Sequence, residues 1–165
     1  MILMNDQMKR IISCFNIEDI PQYSNPNLID LINPVFVEID GFILRLQPKE
    51  KVKSLKTDLI INSFGDRTGF EAFDSHIHVI DYIDEFRYGL FEGFRFFLQL
   101  THLWGNELMK LFPYYKFHVV LAYDDKDCNL RFYRLRNDES SWIDIEGLND
   151  YKDEAILVKT IGLDM

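Results

Sequence analysis

Cysteine is scarce: Cys14 and Cys128 are the only two in 165 residues. They lie far apart and match no CxxC or Cys/His ligand spacing, which argues against a disulfide framework and the common zinc motifs. Such sparse usage predicts two reduced, packed thiols in a reducing compartment. Long apolar runs are missing too, and none approaches the roughly 20 residues that a membrane span needs. The first ten residues bring in Asp6, Lys9 and Arg10 and lack the basic start and apolar core of a signal peptide. A cytoplasmic protein without a membrane partner is the expectation. Signatures of catalysis are absent as well: there is no GxSxG elbow, no GxxxxGK[ST] loop, no GxGxxG and no HExxH. No enzyme activity, no cofactor and no metal are therefore expected. Basic residues are the minority charge, 18 against 27 acidic ones, for a net charge of −9. That surface repels phosphate backbones and disfavours a nucleic-acid partner.

What the chain does have is apolar and aromatic mass. Hydrophobic residues make up 47% and aromatics 15%, too much for a disordered chain. A chain of this length buries enough surface to fold without staples, so residues 1–165 are read as a single domain. Met8, Ile11, Ile12 and Phe15 recur at helical spacing, which predicts a helix over 5–16 capped by Asn5 or Asp6. Pro21, Pro26 and Pro34 mark an irregular connector, with one helical turn at 28–32 inside it. Val35, Val37 and Ile39 alternate up to Asp40-Gly41, and Phe42, Leu44 and Leu46 alternate after it. This predicts a β-hairpin with a type I′ turn. The lysines at 49, 51, 53 and 56 read as a solvated loop. A strand is expected at 58–62, a loop around Gly65 and Gly69, and a further strand at 75–83.

From Asp84 to Phe112 the period changes. Phe86, Leu90, Phe94, Phe97, Thr101, Trp104, Leu108 and Leu111 trace one stripe of a long helix, with Asp84 as its cap and Pro113 beyond its end. Residues 115–123 and 128–136 form a second hairpin, and 154–161 a last strand. The fold class is therefore α+β: a mainly antiparallel sheet built from hairpins, with one long helix packed across a face.

Few residues stand out for chemistry. His76 and His78 share a strand face and could hold a metal together, but no complete ligand set accompanies them. Asp124, Asp125 and Asp127 lack the calcium-loop pattern and read as turn residues. Arg131, Arg134 and Arg136 are expected to pair with the acidic 138–154 segment or with strand neighbours or, alternatively, to engage a carboxylate or phosphate. The sharpest feature is the segment 138–154, where seven acids face a single base, Lys152, for a local net charge of −6. Trp142 sits inside it. Either that indole folds back onto the sheet edge or it stands exposed as a contact anchor. Asp138, Glu139, Trp142, Asp144, Glu146 and Asp150 are the expected partner-binding residues, and a basic protein is the expected partner.

In size, acidity, aromatic content and α+β reading the chain resembles the small acidic immunity proteins of bacterial polymorphic toxin systems. The segments nearest that character are Lys116–Tyr123, Leu130–Arg136 and Trp142–Val158. The resemblance implies a cytoplasmic bacterial protein that neutralises a cognate, often basic, toxin domain by binding it. The alternative is a small-ligand binder or enzyme with a pocket between sheet and long helix, lined by His76, His78, Tyr82, Trp104 and His118.

Overall fold

The computed structural model describes residues 1–14, 28–47, 50–82, 90–124 and 126–162. Alternation in the C-terminal half builds the sheet. Strands β5 (Lys116–Tyr123), β6 (Cys128–Leu135) and β7 (Ala155–Ile161) form its centre. Two short strands, β1 (Ile2–Met4) and β4 (Ile77–His78), complete the order β1-β7-β5-β6-β4. Every neighbouring pair is antiparallel. Successive side chains of a strand point to opposite faces. Phe117, Val119 and Leu121 of β5 therefore enter one core, and Val120 and Ala122 enter another on the reverse side.

The long helix α5 (Leu90–Leu111) covers the first of these faces. Its stripe of Phe94, Phe97, Thr101, Trp104 and Leu108 is buried as predicted, whereas Leu111 is exposed. A hairpin of β2 (Val35–Ile39) and β3 (Phe42–Leu46) closes one end of that core. Asp40 and Gly41 both take positive φ, 51° and 82°, as a type I′ turn requires. Phe36 of this hairpin meets Trp104 and Phe132 edge-on, with ring centroids 5.8 and 5.0 Å away. The single turn α2 (Ile29–Ile32) lies alongside, and the Trp104 indole N–H donates to the Leu31 carbonyl at 2.9 Å. The molecule is thus α+β, with one long helix laid across a mainly antiparallel sheet. Among the described residues no helix is long and apolar enough to cross a membrane.

Helix α1 (Asp6–Ser13) begins at Asn5, whose side chain accepts from the Met8 N–H at 3.0 Å. Three expectations need correction. The run at 58–62 is not a strand but lies within helix α3 (Thr57–Phe64). Leu59, Ile60 and Ile61 form a short unbroken apolar run, which carries no period to separate helix from strand. The stretch around Gly65 and Gly69 is a helix stop and restart rather than a loop. Gly65 ends α3 with φ of 86°, and Asp66 then caps α4 (Arg67–Asp74) by accepting from the Gly69 N–H at 2.6 Å. The strand expected over 75–83 is real only at Ile77–His78, because Val79–Asp81 turn into a 3₁₀ helix. Strand β1 has no counterpart in the sequence reading. Asp84, Phe86 and Gly89 of the predicted helix start lie outside the described residues, as do Pro21, Pro26 and Lys49.

Candidate functional site: the outer face of the sheet

Helix α5 leaves the opposite face of the sheet to be covered by the chain between β6 and β7. Ile143 and Leu148 are its buried anchors, packed with Val120, Tyr133, Ile156 and Val158. Asn5 pins the same segment from below and is itself almost fully buried. Its side-chain N–H₂ donates to the carbonyls of Tyr151 and Glu154 at 3.3 and 2.7 Å, and its oxygen also accepts from the Ile156 N–H at 3.0 Å. The Asp6 N–H donates to the Asn149 side chain at 2.8 Å, and Gln7 reaches the Lys152 carbonyl.

With these anchors inward, the charged residues divide. Asp144, Glu146 and Asp150 are exposed. The Asp144 and Asp150 carboxylates converge over Gly147, where a Cβ would lie 2.5 Å from one and 3.3 Å from the other. Asp138 is exposed and pairs with Arg67 at 3.0 Å. Glu139 turns inward instead, with its side chain only 8% exposed. It accepts from Arg67 at 2.6 Å and from the Thr68 N–H and hydroxyl at 2.9 and 2.7 Å. Burial alone would raise its pKa. The Thr68 and Arg67 hydrogen bonds outweigh burial and hold the carboxyl below its usual range. Glu139 thus joins α4 to the end of β6 and presents little charge to a partner.

Trp142 is 43% exposed. Its ring carries the Arg131 guanidinium 4.2 Å from its centroid and lies 6.4 Å from the Tyr133 ring. The indole is therefore neither a core plug nor a free flag, but an exposed ring on a fixed mount. Beside it opens a cleft of about 310 Å³. Val120, Ala122 and Ile156 give this cleft apolar surface, and Asn129, Arg131 and Glu154 line it with polar groups.

The histidines do not meet in one place. His76 and His78 lie with ring centroids 4.2 Å apart and their planes tilted by 55° at the β4 edge. His76 Nε2 accepts from Arg131 Nη2 at 2.7 Å, and His78 Nδ1 pairs with Asp127. Burial, the Arg131 charge and His78 push the His76 pKa down to about 4, so a neutral imidazole serves as acceptor. His118 lies further along the sheet, bonded through Nδ1 to the Tyr133 hydroxyl at 2.8 Å. All three histidines sit on the outer face, while Trp104 and Tyr82 pack into the core under α5. The sheet separates the two sets, so the pocket imagined between sheet and long helix is not formed by them. Asp124 turns back to accept from the N–H groups of Lys126 and Asp127 at 2.7 and 2.8 Å, as a turn residue should.

Of the arginines, Arg136 binds Glu71, a residue the sequence reading passed over. Glu71 is wholly buried and takes Arg136 in a two-pronged contact at 2.5 and 3.0 Å. It also accepts the N–H groups of Ile43 and Arg134, each at 2.8 Å. Arg134 lies over the Tyr115 ring at 3.4 Å. The Glu71 centre locks hairpin, helix and sheet together. No local pattern flags it, since its partners lie 28 to 65 residues away.

Fold and surface together define an α+β protein whose sheet is roofed by a helix on one side and carries an acidic, Trp-bearing segment on the other. The chain belongs to the Uncharacterized protein PM0498 family, whose sequence profile matches residues 3–162. No curated protein and no solved structure matches it significantly.

Proposed function

We propose that this chain is a protein-binding module of the immunity type, which neutralises a cognate bacterial toxin domain in the cytoplasm by direct contact. The observation that carries the reading is the mounting of Trp142: an exposed indole held by Arg131, in a segment whose acids Asp144, Glu146 and Asp150 point to solvent. Trp, Arg and Tyr dominate the energetic centres of protein interfaces, and clustered acids steer a basic partner. Tyr151, also partly exposed, extends the same patch. The partner expected is a basic protein domain.

The test is the product of the neighbouring gene. Its C-terminal domain, expressed alone, should arrest bacterial growth, and co-expression with this chain should restore it. Trp142→Ala should lose that rescue while the purified variant keeps its thermal transition. A neighbouring product that is harmless and does not bind the chain overturns the reading.

A further inference from the structure

Among the described residues Arg131 has no contact ion pair, although Glu154 lines the same cleft. Among the described residues no carboxylate lies within 4.0 Å of it, and its only side-chain acceptors are His76 at 2.7 Å and Asn129 at 3.5 Å. Both engage the same nitrogen, Nη2, so among the described residues the rest of the guanidinium's N–H groups have no protein acceptor. His76 is neutral and contributes no compensating charge. Burial lowers the Arg131 pKa only to about 10, with Glu154 opposing the shift from across the cleft, so the guanidinium stays charged at neutral pH. The guanidinium lines the cleft, and its planar fork matches a carboxylate edge. The surface beside it is mixed: Trp142 and Tyr151 supply its exposed aromatic walls over a nearly buried apolar floor of Val120, Ala122 and Ile156, and Asn129 and Glu154 its polar ones. The volume of about 310 Å³ is at the small end of ligand sites.

We propose that this cleft binds a carboxylate carried on a small apolar or aromatic stem. The Arg131 fork takes the carboxylate, and the stem lies between the exposed rings of Trp142 and Tyr151. Glu154 and the surrounding acids favour a singly charged anion over a phosphate. The inference does not rest on the toxin-binding reading, because it is measured on the isolated protein. The carboxylate can come from a free small acid or from the end of a polypeptide, and the two are separated below.

The probe is benzoate, read by the fluorescence of Trp142; the only other tryptophan, Trp104, is fully buried. Benzoate should change the emission saturably in the millimolar range or tighter, and Trp142→Phe should remove the signal. The neutral isostere benzamide should bind at least about tenfold more weakly. Arg131→Gln should weaken benzoate by about tenfold or more, whereas Glu154→Gln should tighten it. If Arg131→Gln fails to fold, Arg131→Lys keeps the charge without the fork and should still bind several-fold more weakly. A short peptide ending in phenylalanine, compared with its C-terminal amide, identifies the source. Tighter binding of the free-acid peptide than of benzoate assigns the site to a chain terminus, and weaker binding assigns it to a free acid. No saturable signal with either acid, equal binding of benzamide, or indifference to the Arg131 substitutions overturns the proposal.

Discussion

His118 and Asn5 show how single buried polar residues control this molecule. His118 is nearly inaccessible, and its ring bonds the Tyr133 hydroxyl, which in turn meets the Ser141 hydroxyl at 2.9 Å. Burial and the nearby Lys116 charge push its pKa from 6.5 down to about 4. The unfolded chain therefore takes up a proton near pH 6.5, but the native state does so only near pH 4. Linkage then requires stability to be complete above pH 6.5, to fall as pH drops through that window, and to level off below it. A shift of this size corresponds to at most about 3 kcal/mol. His76 titrates in the same window, so the test is a difference. The gap in urea stability between the native sequence and His118→Gln should change by a few kcal/mol from pH 7 to pH 4; a constant gap would mean that the ring is solvated. Asn5 makes a second case. Asn5→Ala removes a helix cap, worth about 1 kcal/mol, and strands the buried Ile156 N–H, at about 1–3 kcal/mol. A loss of about 2–4 kcal/mol in urea unfolding is expected. A change below about 0.5 kcal/mol would show that Asn5 does not pin the outer segment.

Among the elements, the glycines of α5 and of the C-terminus give opposite expectations. A Cβ on Gly105 would lie 3.4 Å from Ile161 and from the Lys159 side chain, in ordinary contact. Gly105→Ala should therefore gain up to about 1 kcal/mol of helix propensity. Gly162 has φ of 98°, and a Cβ there would lie 2.3 Å from the Tyr115 carbonyl oxygen. Gly162→Ala should destabilise by more than Gly105→Ala gains, and melting temperatures of the two variants give the comparison. Both hairpins, α1 and α5 were legible because each carries a sustained period and a recognisable stop: Asp40-Gly41 for one hairpin, and the stripe from Phe94 to Leu108 for the helix. Helix α3 was not, because its three central apolar residues hold no period. Its real signal was the Gly65 stop, which, like the Asp66 cap of α4 after it, also reads as a loop residue. Strand β1 is three residues long and exists only because β7 offers it an edge. The candidate site was half legible. Charge density and one tryptophan marked the segment, but nothing local told that Glu139 turns inward, that Arg131 crosses the sheet face to meet Trp142, or that His118 stands apart from His76 and His78.

On the scale of the whole molecule, the question is how a surface of net −9 acts on a partner. Not every acid of the 138–154 segment contributes. Glu139 is spent on Arg67 and Thr68, and Asp138 is paired with Arg67. Asp144, Glu146, Asp150, Asp153 and Glu154 remain outward, and Asp144 and Asp150 converge over Gly147. A basic protein would feel these acids, Asp144, Glu146 and Asp150 among them, from a distance of about 10 Å at moderate salt, before any contact forms. The three named acids flank Trp142 most closely in the chain on its C-terminal side. Replacing these three together by amides should therefore slow association and flatten its salt dependence, with dissociation little changed. Trp142 acts at the other end of the process. Its exposed ring is desolvated only when the partner is seated, so Trp142→Ala should mainly speed dissociation, by about tenfold for each 1.4 kcal/mol lost. Because the ring is 43% exposed, the same substitution should leave folding nearly intact. Glu139→Gln provides the internal control: it should weaken the join between α4 and β6 and lower stability, yet leave the association rate close to that of the native chain. Binding kinetics across ionic strength, with the basic partner proposed above, separate these cases. Association indifferent to salt and to the three amides would reduce the acidic face to a solubility feature. A Glu139→Gln effect on association equal to that of the outward acids would mean that charge count, rather than placement, governs the encounter.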